Sequence, residues 1–293
     1  LATKMVVEMT SLQGIMGREY ALLSKEHPLV AQAIAEHYLP RFAGDDLPQS
    51  PAGIAVALAD RLDSLVGLFA VGLEPTGASD PYGLRRAALG VVQILMGHRL
   101  DFDLQSVVKL VGEVQRVPVG EQDREKVLAF IAGRLRVVLR EEHPHDVVEA
   151  VLGAQGHNPH RAAVHAEQLE RWVAREGWLP ILYAYSRCVR ITRDLGKRFK
   201  LKPEAFTEPV EVELYQAYQE AAKSIGADPD VETMLSRFEP MVPAISAFFA
   251  PAEEGGVLVM HKTKAIRENR LALLQHIVAL GEHVADFSML EGF

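Results

Sequence analysis

Apolar positions recur at spacings of three and four along almost the whole chain, which is the pattern of helices that bury one face. Met5, Met9, Leu12, Ile15 and Met16 share one such face and predict a first helix. Pro28 opens a second segment, Leu29 to Tyr38, which stops before Pro40. Gly44 to Pro51 is a loop by composition, and a long apolar helix is expected from about Pro51 to Gly72. Glu74 to Asp80 is rich in turn residues. Pro81 then sits where a first helical turn tolerates proline, because the N–H it lacks would have had no partner there. That helix should run to about Met96. Further helices are expected at 104–115, 122–141, 144–153, 160–174, 178–197, 208–225, 230–250 and 263–281. The apolar stretch Gly256 to Met260 is too short to decide between helix and strand. No convincing strand and no repeat of fixed period is visible. The expected fold is all-α, a smaller helical bundle followed by a larger one.

Composition narrows the class. The chain has 293 residues, 48% hydrophobic and 24% charged, enough for one large helical domain or two ordinary ones and too apolar for extended disorder. The longest apolar run, around Ile54 to Val71, is broken by Asp60, Arg61 and Asp63, so nothing approaches the roughly 20 apolar residues of a membrane span. One cysteine, Cys188, allows no internal disulfide and fits a reducing, cytoplasmic setting as a buried thiol. The opening residues lie inside an amphipathic pattern with no initiator Met and no signal-peptide layout, so a piece of a longer protein is expected. A net charge of −8 argues against general coating by nucleic acid but leaves room for a local basic face.

Four segments carry candidate chemistry. In ALADRLDSLVGLF, Ala57 to Phe69, Asp60 and Asp63 are three apart and share a helix face. Asp60 stands among apolar residues and should need a partner, with a salt bridge the stronger reading and a metal the weaker. Its tetrad A-D-R-L resembles the last motif of HD-type phosphohydrolases, in which an aspartate helps hold a divalent metal. The other ligands of that motif are missing: only His27 and His37 precede it, and the pair His145-Asp146 comes too late. In the second segment, Glu74 to Leu95, Asp80 is expected as the helix N-cap, with Arg85 and Arg86 in the first turns. Those two arginines either pair with nearby acids or meet a phosphate backbone or a partner subunit.

The other two segments are basic. From Arg187 to Lys200, six of fourteen residues are Lys or Arg against a single Asp. Arg187, Arg190, Arg193 and Lys197 fall at spacings of three, three and four, one stripe on a helix, with Arg198 beside it. A basic stripe on an acidic protein is what a local phosphate-binding surface looks like, and a solvated charged face is the plain alternative. Near the end, Lys262, Lys264, Arg267 and Arg270 crowd the opening turns of a helix whose buried face is Leu271, Leu274, Ile277 and Val278. Cations at a helix N-terminus oppose the macrodipole, so they are not there to stabilise that helix. No phosphate loop, HExxH or GxSxG motif occurs.

Together, TSLQGIMGREYAL (Thr10–Leu22), AIAEHYLPR (Ala33–Arg41), ALADRLDSLVGLFAVG (Ala57–Gly72), PTGASDPYGLRRAALGV (Pro75–Val91), MHKTKAIRENRLALL (Met260–Leu274) and VADFSML (Val284–Leu290) resemble the glycyl-tRNA synthetase β subunit, in its C-terminal portion. The resemblance implies an HD-like helical domain over 1–105 whose metal motif is degenerate, with Asp60 its remnant. It implies a helical anticodon-binding domain over 106–293, like that of arginyl-tRNA synthetases, ending in an R-x-N-R-L-x-L-L helix (Arg267, Asn269, Arg270, Leu271, Leu273, Leu274). The implied partners are tRNA-Gly and a separate α subunit that binds ATP and Mg and activates glycine. No catalytic residue, metal or cofactor of its own, no DNA and no membrane partner are expected. Arg187, Arg190, Arg193, Lys197, Arg198, Lys262, Lys264, Arg267 and Arg270 would hold tRNA. Arg85 and Arg86 would touch tRNA or a subunit, and Tyr183 and Tyr185 are candidates for base stacking, with a place in the core the alternative. The sequence HKTKA replaces the acidic stretch usual before the final helix. The rival readings are an HD-type phosphohydrolase and a scaffold without RNA affinity.

Overall fold

The computed structural model describes residues 4–293, and among these the regular structure is helical, with one isolated bridge between Thr76 and Ser79. The chain divides into two compact units, residues 1–139 with 156–163 and residues 140–155 with 164–293. The helices at 104–114 and 121–139 thus group with the earlier ones, and the compact units part later in the chain than the 1–105 and 106–293 expected from sequence.

The first unit opens with α1 (Lys4–Glu8), a short 3-10 turn at Thr10–Leu12 and α2 (Ile15–Leu23), not with one continuous helix. Gly14 breaks it. Its φ of 81° is left-handed, and an added Cβ would lie 2.8 Å from the Tyr38 ring. The apolar stripe expected there is therefore split, and Met5 and Met9 are exposed. Helix α3 (Pro28–Glu36) packs on α2, and α4 (Pro51–Ala70) follows. Ser50 caps α4 by accepting from the Gly53 N–H at 3.0 Å, while the Glu36 carboxylate accepts from the Ser50 N–H at 3.0 Å.

Helix α5 (Leu84–Gly97) starts later than expected. Its N-cap is Gly83, and Pro81 lies in the preceding turn. Asp80 still serves the helix end from outside it, accepting from the Leu84 N–H at 2.8 Å and the Arg85 N–H at 2.9 Å. Helices α6 (Leu104–Val114) and α7 (Glu121–Leu139) complete the layer around α4 and α5. Leu84, Ala88, Val91 and Leu95 of α5, at spacings of four, three and four, are buried, as are Leu65 and Val66 of α4 and Val127, Ile131 and Leu135 of α7, and the three helices pack on one another.

The remaining helices are α8 (His145–Gln155), α9 (Pro159–Val173), α10 (Trp178–Thr192), α11 (Pro209–Ile225), α12 (Val231–Phe238), α13 (Val242–Phe248) and α14 (Lys264–Ala279). The helix expected over 230–250 is interrupted at Glu239–Met241, where Pro240 and then Pro243 remove N–H donors. Residues 256–258 are irregular and 259–260 form a turn, with the Val257 N–H donating to the Phe248 carbonyl at 3.0 Å. In the second unit α10 packs on α14, with the Tyr185 hydroxyl donating to the Val278 carbonyl at 2.9 Å. Tyr185 is buried edge-on against Phe238 and Phe287, so it is a core ring and not a stacking group. Cys188 is fully buried, and burial pushes its thiol up to about 12, as expected of an inert structural thiol.

Candidate functional site

Two surfaces gather the candidate residues. In the first unit a polar cleft of about 480 Å³ is lined by Thr10, Ser11, His37, Tyr38, Asp60, Arg61, Tyr82 and Arg86, among others. Of the neighbours Asp60 and Arg61, it is the arginine that is buried and partnered. Asp60 is exposed at the cleft with no salt bridge, and it is the one carboxylate among the described residues lining it. The expected ion pair is therefore absent from Asp60, because its helix face meets solvent. Arg61 is the buried charge, 7% exposed. Its Nη1 donates to the carbonyls of His37 at 2.8 Å and Ala57 at 2.9 Å. Its Nη2 donates to those of Tyr38, Leu39 and Pro40 at 3.2, 2.8 and 3.1 Å. Burial pushes its guanidinium below the ordinary value, and Asp60 pulls the other way.

Four of the five carbonyls that Arg61 takes, those of His37, Tyr38, Leu39 and Pro40, lie just past the end of α3, where a helix leaves acceptors unpaired, and the fifth, Ala57, lies one turn back on α4. A cation there also answers the negative end of the helix dipole. The Arg61 side chain reaches them by crossing Gly90 of α5, where an added Cβ would stand 2.5 Å from Nε. Arg61 and Gly90, in two separate motifs of the sequence, are thus one structural device. Periodicity marks neither of them, because a buried arginine satisfied by carbonyls has no acidic partner to signal it.

Of the cleft's other cations, Arg41 is held by Asp45 at 2.8 and 3.1 Å. The hydrogen bond from Arg41 takes the Asp45 carboxyl down to about 2. Arg86 lines the cleft with no acidic partner among the described residues, whereas Arg85 turns back to the Gly77 carbonyl at 2.6 Å. Among the described residues no three His, Cys, Asp or Glu side chains converge on a point where a metal could sit.

The second surface is basic and belongs to the second unit. Helix α10 ends at Thr192, earlier than expected, and the Thr192 hydroxyl donates back to the Cys188 carbonyl at 2.7 Å. Arg187 and Arg190 lie on the helix, Arg193 is its C-cap, and Lys197 and Arg198 follow on the loop. The helical stripe therefore bends into a loop after its second arginine. Arg187 is half-buried, donating to the Phe249 carbonyl at 3.0 Å with its guanidinium 4.4 Å from that ring's centre. Arg190, Arg193, Lys197 and Arg198 are exposed. Lys197 and Arg198 meet Glu268 at 3.6 Å and Glu282 at 2.6 Å. Pairs this exposed are worth little and open readily to a stronger anion.

The final basic cluster separates. Lys262 and Lys264 are exposed and have no acidic partner among the described residues. Arg267 donates to the His261 carbonyl at 3.0 Å. Arg270, expected on the exposed face, is 4% exposed and donates to Glu211 Oε1 and to the Leu258 carbonyl, both at 2.8 Å. An arginine closed in this way holds the fold and presents no face to a phosphate. Burial alone would raise the Glu211 carboxyl; hydrogen bonds from Arg270 and the Thr207 and Glu208 N–H groups outweigh it, and the net direction is down. No helix among the described residues is long and apolar enough to cross a membrane.

The family model described as glycyl-tRNA synthetase beta subunit matches residues 1–153. The chain is 38% identical over 305 residues to the glycine–tRNA ligase beta subunit of Myxococcus xanthus, covering 99% of this chain and 43% of that protein. It is 40% identical over 303 residues to the beta subunit from Moorella thermoacetica, covering 99% and 42%. Against the chloroplastic/mitochondrial glycine–tRNA ligase 2 of Arabidopsis thaliana it is 38% identical over 296 residues, covering 100% and 27%. The chain thus spans less than half the length of these relatives.

Proposed function

The chain belongs to the glycyl-tRNA synthetase beta subunit family, and from that premise we propose that it is a tRNA-binding portion of such a subunit, supporting ATP-dependent glycylation of tRNA-Gly. The observation that carries the reading is the exposed run Arg190, Arg193, Lys197 and Arg198, in a chain whose net charge is −8. Cations gathered on one surface of an acidic protein, and only weakly tied to it, suit phosphates that arrive from outside. Lys262 and Lys264 add to the same unit, and Arg187 and Arg267 flank the surface with part of their donor capacity already used. Arg270 is left out of the binding set.

In this reading glycine activation, with ATP and Mg, belongs to a separate α subunit in the cytoplasm, and this chain contributes no catalytic group. The HD-like and anticodon-binding characters of the two parts, and a C-terminal place in the subunit, belong to this proposal and rest on the resemblance of the motifs alone. The first unit serves mainly as scaffold, and Arg86 at its cleft is the group there most available to RNA or a partner subunit.

The test is a titration of the chain with tRNA-Gly and with a non-cognate tRNA at two salt concentrations. Binding that prefers tRNA-Gly and weakens steeply with salt is the expected result. No binding to either tRNA at the lower salt would overturn the proposal and leave the scaffold reading.

A further inference from the structure

Phe206, Tyr215, Tyr218 and His276 form a row of rings along one flank of the second unit. Neighbouring centroids are 5.6 Å apart for Phe206–Tyr215, 6.3 Å for Tyr215–Tyr218 and 5.8 Å for Tyr218–His276. The two tyrosines are stacked, with planes 28° apart. Their place on α11 is set by spacing: Glu211, Leu214, Ala221 and Ile225 are its buried residues, and the tyrosines stand on the shoulder of that stripe. Phe206, Tyr215 and Tyr218 are half-buried and His276 is exposed. Gln219 Nε2 donates to the Tyr215 hydroxyl at 3.0 Å, and the Tyr218 hydroxyl lies 3.5 Å from His276 Nδ1. Each ring is thus propped by its neighbours, and none of the four is buried.

A cationic segment is strapped along α14, the helix that carries His276. Gln275 accepts from the Phe199 N–H and donates to the Lys197 carbonyl, both at 2.9 Å. Asn269 accepts from the Lys202 N–H at 2.8 Å and donates to the Lys202 carbonyl at 2.9 Å. These bonds fix the backbone from 197 to 202 and leave Lys197, Arg198, Lys200 and Lys202 exposed. Lys200 and Lys202 have no acidic partner among the described residues. Glu211, one turn before Tyr215, is locked to Arg270 on α14, so the two helices that carry the rings are tied together.

We propose that Tyr215, Tyr218 and His276 form a stacking platform for unstacked bases of single-stranded RNA, whose phosphates lie against the Lys197–Lys202 segment. Aromatic faces beside a cationic track are how proteins hold unpaired nucleotides, the rings taking base faces and the cations the backbone. The chemistry points to a loop whose bases are splayed and not to duplex RNA, whose base faces are already stacked. This rests on the reading of the chain as a tRNA-binding one and names where its unpaired bases sit.

The experiment is a titration of the unaltered chain, Tyr215→Ala/Tyr218→Ala and Tyr215→Phe/Tyr218→Phe with tRNA-Gly at two salt concentrations. Loss of the rings should weaken binding by about tenfold or more with the salt dependence kept, since stacking is worth about 1–3 kcal/mol per base. The phenylalanine variant, which keeps both rings, should bind within about twofold of the unaltered chain. Should the alanine variant not fold, photocrosslinking of 5-bromouridine-substituted tRNA to the unaltered chain gives the same answer. Adducts at Tyr215, Tyr218 or His276 support the platform, and adducts confined to other residues overturn it. Equal affinity of a folded alanine variant overturns the platform alone, whereas absence of tRNA binding by the unaltered chain overturns the functional reading beneath it.

Discussion

The first unit buries Arg61 among backbone carbonyls, whereas the second buries Arg270 against a carboxylate. Both guanidiniums are nearly closed to solvent, and both tie a helix to a segment distant in sequence. The difference lies in the acceptors. Arg61 meets neutral oxygens, four of which follow the end of α3, where a helix leaves acceptors unpaired. Arg270 meets an ionised Glu211, so each charge is the other's compensation. The first device should ignore acid and the second should not. Removing one partner should also hurt unequally, because only the second device leaves a charge behind.

The largest effect is expected for Glu211→Ala, which strands Arg270 as a buried charge and should lower stability by about 3–5 kcal/mol, read from the urea midpoint. Arg61→Met removes the charge together with its donors and leaves only neutral carbonyls unmet, so a smaller loss of about 3 kcal/mol is expected. Should Arg61→Met prove the more damaging, the comparison is wrong. Gly90→Ala forces a methyl against Arg61 Nε, and about 1–3 kcal/mol is expected from overpacking alone. In an Arg61→Met background the same substitution should be milder, since the two positions share one contact.

The pH response sharpens the contrast. The folded Glu211 carboxyl is held below its ordinary value of 4.5. Below that value the unfolded chain binds the proton first, so the contribution is complete above about pH 4.5 and drains away as pH falls through the lower folded value. A Glu211→Gln variant should lose part of this acid dependence in a thermal melt, and Arg61→Met should keep all of it. The smallest stability change, within about 0.5 kcal/mol, is expected for Arg190→Glu/Arg193→Glu, because both side chains are exposed.

The helices were legible because each repeats an apolar residue every three or four positions, as Leu84, Ala88, Val91 and Leu95 do. What escaped were features that periodicity does not encode. Met5 and Met16 fit one stripe, but the left-handed turn at Gly14 cuts it between them. Arg187 to Lys197 keep helical spacing on paper, yet α10 stops at Thr192. Arg270 and Lys264 look alike in sequence, and only the approach of Glu211 from another helix decides which is buried. Asp60 is exposed and Arg61 buried for a similar reason: a 100° step along a helix separates cleft from core. The exposed cations were legible as a class, and their availability was not, since that depends on Phe249, Glu268 and Glu282, all remote in sequence.

The central claim is that buried arginines hold this fold while exposed ones hold tRNA. Its most direct test is the salt dependence of tRNA-Gly binding for Arg190→Glu/Arg193→Glu beside the unaltered chain. Weaker binding with a shallower salt slope and an unchanged urea midpoint is predicted. Equal affinity and slope in a folded variant would contradict it.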